Sequence, residues 1–170
     1  MINNAVNAHG LNPVHKADLN DWDAMIDSNV KGLMYVTKAV LPTMVSRKTG
    51  HIINLGSIAG KEVYPNGSVY CSSKFAVDAF TRGLRLDLNS LGIKVSAIHP
   101  GMVDTEFSEV RFKGNKDKAS QVYEGLTPLH AKDVADVILY MVQAREHVNV
   151  ADVILLPKAQ ANTYISHRKS

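Results

Sequence analysis

Cysteine is almost missing from this chain. Cys71 is the only one, so no intrachain disulfide can form and no cysteine-based metal site exists. The seven histidines are scattered, with no HExxH or other paired ligand spacing, which leaves no recognisable metal motif. No run is long and apolar enough to span a bilayer. The N-terminus does not join a basic stretch to an apolar one, so no secretory signal is evident and the cytoplasm is the default address. Basic blocks are also absent beyond the short His167-Arg168-Lys169 run, and the net charge is only +3. A dedicated nucleic-acid or membrane surface is therefore not expected. Asn66-Gly67-Ser68 matches a glycosylation sequon, but without an export signal it reads as a turn and helix cap. No Gly-x-Ser-x-Gly elbow surrounds Ser57, which counts against a serine hydrolase. No internal repeat or low-complexity segment is seen.

What remains is an ordinary globular composition. At 170 residues the chain suits one domain with a sizeable core, expected over residues 1–156 and followed by a weakly periodic tail at 157–170. Met1-Ile2-Asn3-Asn4-Ala5 reads as the tail of a strand followed by a polar turn. Asp18 to Met44 reads as one long helix, capped by Asp18, with Trp22, Ile26, Leu33, Val36 and Val40 as its buried stripe and Pro42 near its end. Asn29 interrupts that stripe; it is either satisfied by neighbouring backbone or functional. Gly50 to Ser57 reads as a buried strand and Pro65-Asn66-Gly67 as a turn. Ser68 to Leu91 reads as a second long helix, capped by Ser68 and stopped by Gly92, with Val69, Ala76, Phe80, Leu84 and Leu88 on its packed edge. Strands are expected at Ile93 to His99 and Val153 to Leu156. An amphipathic helix runs from Ala131 to Gln143, with Val134, Val137, Ile138, Met141 and Val142 on one side. Asp104 to Gly125 is polar and weakly periodic. The alternation of strand and helix predicts an α/β fold: a Rossmann-like, doubly wound parallel sheet covered on both faces.

The chemistry concentrates on Ser57, Tyr70 and Lys74. Tyr70 and Lys74 are four residues apart, hence one turn apart on one helix face. A free tyrosine hydroxyl titrates at about 10, and bringing it to neutrality takes about 4 kcal/mol. One unit charge at ~4 Å in an effective dielectric of ~20 supplies about that much. Lys74 is therefore expected to tune Tyr70 as an acid–base group for a carbonyl or alcohol. The commoner meaning of this spacing is an aromatic ring packed on a lysine stem. The predicted topology favours catalysis, because it brings Asn4, Ser57 and Pro100-Gly101 to the carboxyl edge of the sheet, where ligands bind in open α/β folds.

These residues resemble the short-chain dehydrogenases/reductases. Asn3-Asn4-Ala5 is similar to the family's Asn-Asn-Ala-Gly turn, although Val6 replaces the glycine, and Asn29 in Asp27-Ser28-Asn29-Val30-Lys31-Gly32 to its active-site asparagine. Ser57, Tyr70 and Lys74 match the Ser … Tyr-x-x-x-Lys spacing, and Pro100-Gly101-Met102-Val103-Asp104-Thr105 the segment that holds the nicotinamide end of the cofactor. The runs from Thr105 to Gly114 and from His147 to Val150 resemble the NADP-dependent branch acting on 3-hydroxy acids such as serine or allo-threonine. The resemblance implies an oxidoreductase exchanging hydride between NADP(H), with NAD possible, and a small 3-hydroxy acid or its oxo form. It further implies Tyr70 as general acid/base and Ser57 as the support of the substrate oxygen. Lys74 would act on Tyr70 and the nicotinamide ribose, and Asn29 would hold a water that links Lys74 to solvent. Asn4, Tyr70, Lys74, Pro100, Gly101, Met102, Val103 and Thr105 would line the cofactor, and a homo-oligomer, typically a tetramer, is implied. Arg111 or Lys113 is a candidate for the substrate carboxylate, with a solvated loop cation as the plainer reading of each.

The family's glycine-rich pyrophosphate turn is not among these residues. The chain is expected to represent the C-terminal part of the fold, a fragment of a reductase that starts at the end of the fourth strand. The alternative is a catalytically silent domain that acts as an interaction or assembly module.

Overall fold

The structure, a computed structural model, describes residues 1–169; Ser170, the last residue of the expected tail, lies outside them. Four parallel strands form the main sheet in the order β1 (Ile2–Asn3), β2 (Gly50–Leu55), β3 (Ile93–Pro100) and β6 (Asp152–Leu155). Ile2 pairs with Ile53, Ile52 with Val95, and Ala97 with Asp152. The connections are helical, as a parallel sheet requires. They are α1 (Leu19–Ile26) and α2 (Leu33–Arg47) before β2, α3 (Ser68–Leu88) before β3, and α6 (Ala131–Gln143) before β6. Ile52, Val95, Ile93, Leu84 and Leu88 pack with Leu41 and Met44 on one face of the sheet. Ile53, Ile98, Val134 and Met141 form the core on the other. This is the expected doubly wound arrangement. No helix among the described residues is long and apolar enough to cross a membrane.

Several local expectations are refined. Asp18 caps α1 by accepting from the Asn20 backbone N–H at 2.9 Å. The long first helix is not regular: Asp27–Gly32 is a π turn joining α1 to α2. One extra residue in a turn rotates everything after it by about 100°. That rotation explains why Val36 is 51% exposed whereas Thr37 is fully buried. Pro42 lies inside α2, which runs on to Arg47. On α3 the side chains of Tyr70, Lys74, Val77 and Thr81 are the more buried set, while Val69, Ala76 and Phe80 on the expected packed edge are only partly covered. Val142 of α6 is likewise exposed.

Turn chemistry sets the entry to α3. Asn66 adopts the left-handed region with φ of 66°, and a Cβ on Gly67 would meet the Tyr64 ring at 2.2 Å. Gly67, not Ser68, is the N-cap, and Ser68 is the first helical residue. Gly92 closes the helix end with φ of 72°.

The polar segment after β3 is structured as β4 (Val103–Asp104), α4 (Phe107–Arg111) and α5 (Lys116–Gln121), and β4 pairs in parallel with β5 (Leu129–His130). Its helices are shorter than two turns, too short to show a period in sequence. The C-terminal residues fold back on the sheet: Gln160 is 5% exposed and accepts from the Met102 backbone N–H at 2.9 Å. A Cβ on Gly101 would meet that Gln160 oxygen at 2.1 Å, so glycine allows the turn to be sealed.

Candidate active site

β2 ends at Leu55, and Gly56-Ser57 leads into a 3-10 turn at Ile58–Gly60. Ser57 caps that turn, accepting from the Ala59 N–H at 3.1 Å while its carbonyl accepts from the Gly60 N–H at 2.8 Å. Both bonds hold the serine at the carboxyl end of the strand, facing α3. Tyr70, in the first turn of α3, joins Ala8, Met25, Ala59 and Cys71 in a third apolar cluster at this end of the sheet.

Lys74 lies one turn further along and is 2% exposed. Its ammonium donates to the Leu55 carbonyl at 3.0 Å, and no carboxylate pairs with it among the described residues. Burial pushes its pKa down from 10.5 to about 7. The charge sits 6.0 Å from the centre of the Tyr70 ring. The expected role of Lys74 as the group that tunes Tyr70 is therefore not seen: the ammonium turns to the strand end instead. Burial pushes the Tyr70 hydroxyl well above its ordinary value, opposed first by the Arg111 guanidinium and also by the Ser57 side chain.

Arg111 is the cation the tyrosine does meet. Its guanidinium lies 4.8 Å from the Tyr70 ring centre, 5.2 Å from that of Phe107 and 5.9 Å from that of Tyr64. One terminal nitrogen donates to the Tyr64 hydroxyl at 2.7 Å, while Nε is buried without a partner among the described residues. The reading of Arg111 as a solvated loop cation is thus overturned: three aromatic rings cage it, as weakly hydrated guanidinium allows. Lys113 fits that plainer description, being exposed and paired with Asp21 at 2.8 Å. Arg111 borders two adjoining clefts of about 30 and 270 Å³. Tyr64 and Phe107 were not legible as site residues; the signals were an aromatic residue directly before the Pro65-Asn66-Gly67 turn and a phenylalanine four residues before Arg111.

Asn29 stands behind Tyr70. Its side chain accepts from the Asn7 N–H and donates to the Asn7 carbonyl, both at 2.9 Å, and donates to Ser73 Oγ at 3.1 Å. Ser73 in turn donates to the Tyr70 carbonyl at 2.8 Å. The amide is thus fully engaged in tying the loop after β1 and the π turn to the tyrosine's own helix turn. Asn4 is exposed just past β1, on the same carboxyl edge of the sheet. Pro100, Gly101, Met102 and Val103 continue that edge, with the Gly101 N–H donating to the Leu155 carbonyl at 2.8 Å and the Met102 carbonyl accepting from the Leu129 N–H at 2.9 Å. Thr105 is exposed and accepts from the Phe107 N–H at 3.3 Å. Ser57, Lys74 and Arg111 therefore each neighbour Tyr70, and Tyr70 and Arg111 together line the smaller cleft; Asn29 supports the tyrosine's helix turn, and Asn4 and Thr105 are exposed on the same edge.

Comparison with known proteins agrees with this architecture. Residues 1–116 match the family model described as short chain dehydrogenase. The NADP-dependent 3-hydroxy acid dehydrogenase YdfG of Salmonella typhi is 45% identical over 171 residues, covering 100% of this chain and 69% of that protein. A probable NADP-dependent dehydrogenase of Haemophilus influenzae is 46% identical over 162 residues, covering 95% of this chain and 64% of the other. Among solved structures, the closed form of serine dehydrogenase complexed with NADP+ superposes with a TM-score of 0.94 at 42% identity, covering 99% of this chain and 68% of that one. The chain spans about two thirds of the length of these relatives. With its parallel sheet, its Ser-Tyr-Lys set and these matches, the chain belongs to the short-chain dehydrogenase family.

Proposed function

We propose that this chain supplies the acid–base centre of an oxidoreductase that exchanges hydride between NADP(H) and a small 3-hydroxy acid or its oxo form. The observation that carries the reading is Lys74, a buried ammonium with one hydrogen bond and no carboxylate. An uncompensated charge of this kind costs a protein stability and is found where a ligand is to be met. The names of the similar proteins, which specify NADP and 3-hydroxy acid or serine, support the cofactor and the substrate class.

The residues fit the nicotinamide end of such a cofactor. Lys74 has donors left over for ribose hydroxyls, and Asn4 and the Pro100-to-Thr105 segment flank the same edge. When bound, the nicotinamide supplies the hydride chemistry. The protein's part is to move a proton. Tyr70, held protonated by burial at neutral pH, donates its hydroxyl proton to the substrate oxygen in the reducing direction; in the oxidising direction it must first release that proton to solvent before its phenolate accepts the one from the substrate hydroxyl. Ser57 hydrogen-bonds the same oxygen and stabilises charge that develops there. Lys74, titrating near neutrality, returns a proton to the tyrosine side of the site; the Asn29 side chain, fully bonded to Asn7 and Ser73, serves to hold the helix turn that carries the tyrosine rather than to bind the water first expected of it. Arg111 borders both clefts and is placed to take the substrate carboxylate with its guanidinium, while the neighbouring Tyr64, Tyr70 and Phe107 rings close over the small chain.

The test is a titration of the protein with NADPH, followed by turnover of serine, allo-threonine and 3-hydroxypropionate. Saturable binding with turnover of a hydroxy acid, and none with the corresponding alcohol lacking a carboxylate, supports the reading. Absence of binding together with a stable oligomer on sizing favours the assembly-module alternative.

A further inference from the structure

Below Ser57 lies a charged cluster, buried at His99 and Asp78 and opening to the surface at Asp152, that the proposed chemistry does not use. His99, on β3, is fully buried. Its Nδ1 lies 3.3 Å from the Ser57 carbonyl and its Nε2 lies 2.8 Å from Asp152 and 3.7 Å from Asp78. The ammonium of Lys61 binds both carboxylates, at 2.8 Å to Asp78 and 2.7 Å to Asp152, and Arg82 reaches Asp78 at 2.9 Å. Asp78, His99 and Asp152 place their ligand atoms within 4.8 Å of one another, and the Lys61 ammonium already bridges the two carboxylates. The imidazole also fills the space beside Gly56, where a Cβ would meet Nδ1 at 2.4 Å. The ring is thus wedged under the two residues that carry the serine into the site, and both of its nitrogens face oxygen acceptors.

We infer that His99 is a positioning residue, which acts on Ser57 through the serine's own carbonyl and is oriented by the Asp152–Lys61–Asp78 cluster. A neutral imidazole has one N–H and satisfies one of its two acceptors. The carboxylates compete for that proton, and the Nε2 contact with Asp152, though short, is not aligned as a hydrogen bond. On protonation the ring carries a charge facing Asp152 and an N–H at Nδ1 whichever tautomer it starts from, so the bond to the Ser57 carbonyl becomes charge-assisted. Asp152 and Asp78 favour that proton; burial and Lys61 oppose it and prevail, so the ring titrates below its ordinary 6.5. The place of the Ser57 backbone, and with it of the hydroxyl, is coupled to this one titration. The inference rests on the reading of Ser57 as a site residue, but its geometry is testable without turnover.

The experiment is nitrogen-detected NMR of the His99 ring in the full chain, with the Ser57, Ala59 and Gly60 amides followed from pH 4 to 8. The amides are expected to shift with the midpoint of the ring, below 6.5, and to lose that shift in His99→Asn. Asp152→Asn removes a charge that favours the imidazolium and is expected to lower the common midpoint further; Asp152 is only partly buried, so this variant guards against a failure of the first to fold. Amides that stay still while the ring titrates, or that still titrate in His99→Asn, overturn the inference. So does a midpoint unmoved in Asp152→Asn. None of these outcomes depends on whether the protein oxidises a hydroxy acid.

Discussion

Two sets of polar side chains are buried against the same sheet, and they are treated oppositely. One is a neutral ladder: Asn3 donates to Thr37 at 3.2 Å and to Asn54 at 2.8 Å, Asn54 donates to Thr81 at 2.8 Å, and Thr81 donates to the Val77 carbonyl at 2.7 Å. It runs from α2 through β1 and β2 to α3, and none of its atoms is a buried orphan. The other is Tyr70, Lys74 and Arg111, where an ammonium has one acceptor, a guanidinium nitrogen has none, and a phenol is held protonated by burial. Satisfied polar burial fixes strand register and helix placement. Unsatisfied polar burial costs stability and leaves donors without a protein partner. The first set is architecture and the second is a site, and the variants below separate them by sign as well as size.

Tyr70→Phe has the largest expected effect, and it falls on chemistry alone. Removing the acid–base hydroxyl should lower hydroxy-acid turnover about 10³-fold, in the range of general acid–base catalysis. Cofactor affinity should stay within about twofold and the urea midpoint should barely move, because the ring still packs on Phe107 with centroids 5.7 Å apart. Retained turnover would remove Tyr70 from the mechanism. Asn54→Ala breaks the ladder at its centre, leaving an Asn3 N–H and the Thr81 hydroxyl short of a partner and a small void at a fully buried position. Urea unfolding should show a loss of about 3 kcal/mol. A loss below 1 kcal/mol would mean that the ladder does not hold the sheet.

The same contrast explains what could be read before the structure was known. Strand and helix order was legible because buried parallel strands are short apolar runs and helices repeat every 3.6 residues. Ser57, Tyr70 and Lys74 were legible because spacing on one helix and one strand end is local information. The π turn was not: an inserted residue leaves no composition signal, yet it moves burial from Val36 to Thr37. The His99 cluster was hidden because its members lie at positions 61, 78, 82, 99 and 152, and each charged residue alone reads as a solvated face. Arg111 was misjudged for a related reason: Phe107 lies four residues before it on the same short helix, but Tyr64 and Tyr70 come from the turn before α3 and from α3 itself.

Lys74→Met should act in the opposite direction to Asn54→Ala. The folded lysine titrates at about 7 against an ordinary 10.5. Between these values the unfolded chain binds more protons than the folded one, so stability rises with pH across that window. Below about pH 7 the penalty for burying the charge is fully present, and above pH 10.5 it is gone. The methionine variant carries no such penalty. At pH 7 it should be more stable by roughly 2 kcal/mol, net of the lost bond to Leu55, with a flatter stability profile from pH 7 to 10 in urea titrations. Turnover should be lost. A variant less stable than wild type at pH 7 would place Lys74 with the architecture and erase the contrast.

Thr37→Val is the smallest and the sharpest comparison, because it removes a rung without removing volume. Thr37 is fully buried and accepts one of the two Asn3 amide hydrogens. The other hydrogen stays on Asn54, so the ladder keeps its centre. Asn3 itself is only partly buried, and its freed N–H has a route to water that Asn54 lacks. The loss should therefore be about 1 kcal/mol, with the mid-sheet register unchanged as read by amide exchange at Ile53 and Asn54. If Thr37→Val costs as much as Asn54→Ala, the ladder acts as one cooperative unit, and the position of a rung relative to solvent does not govern its worth.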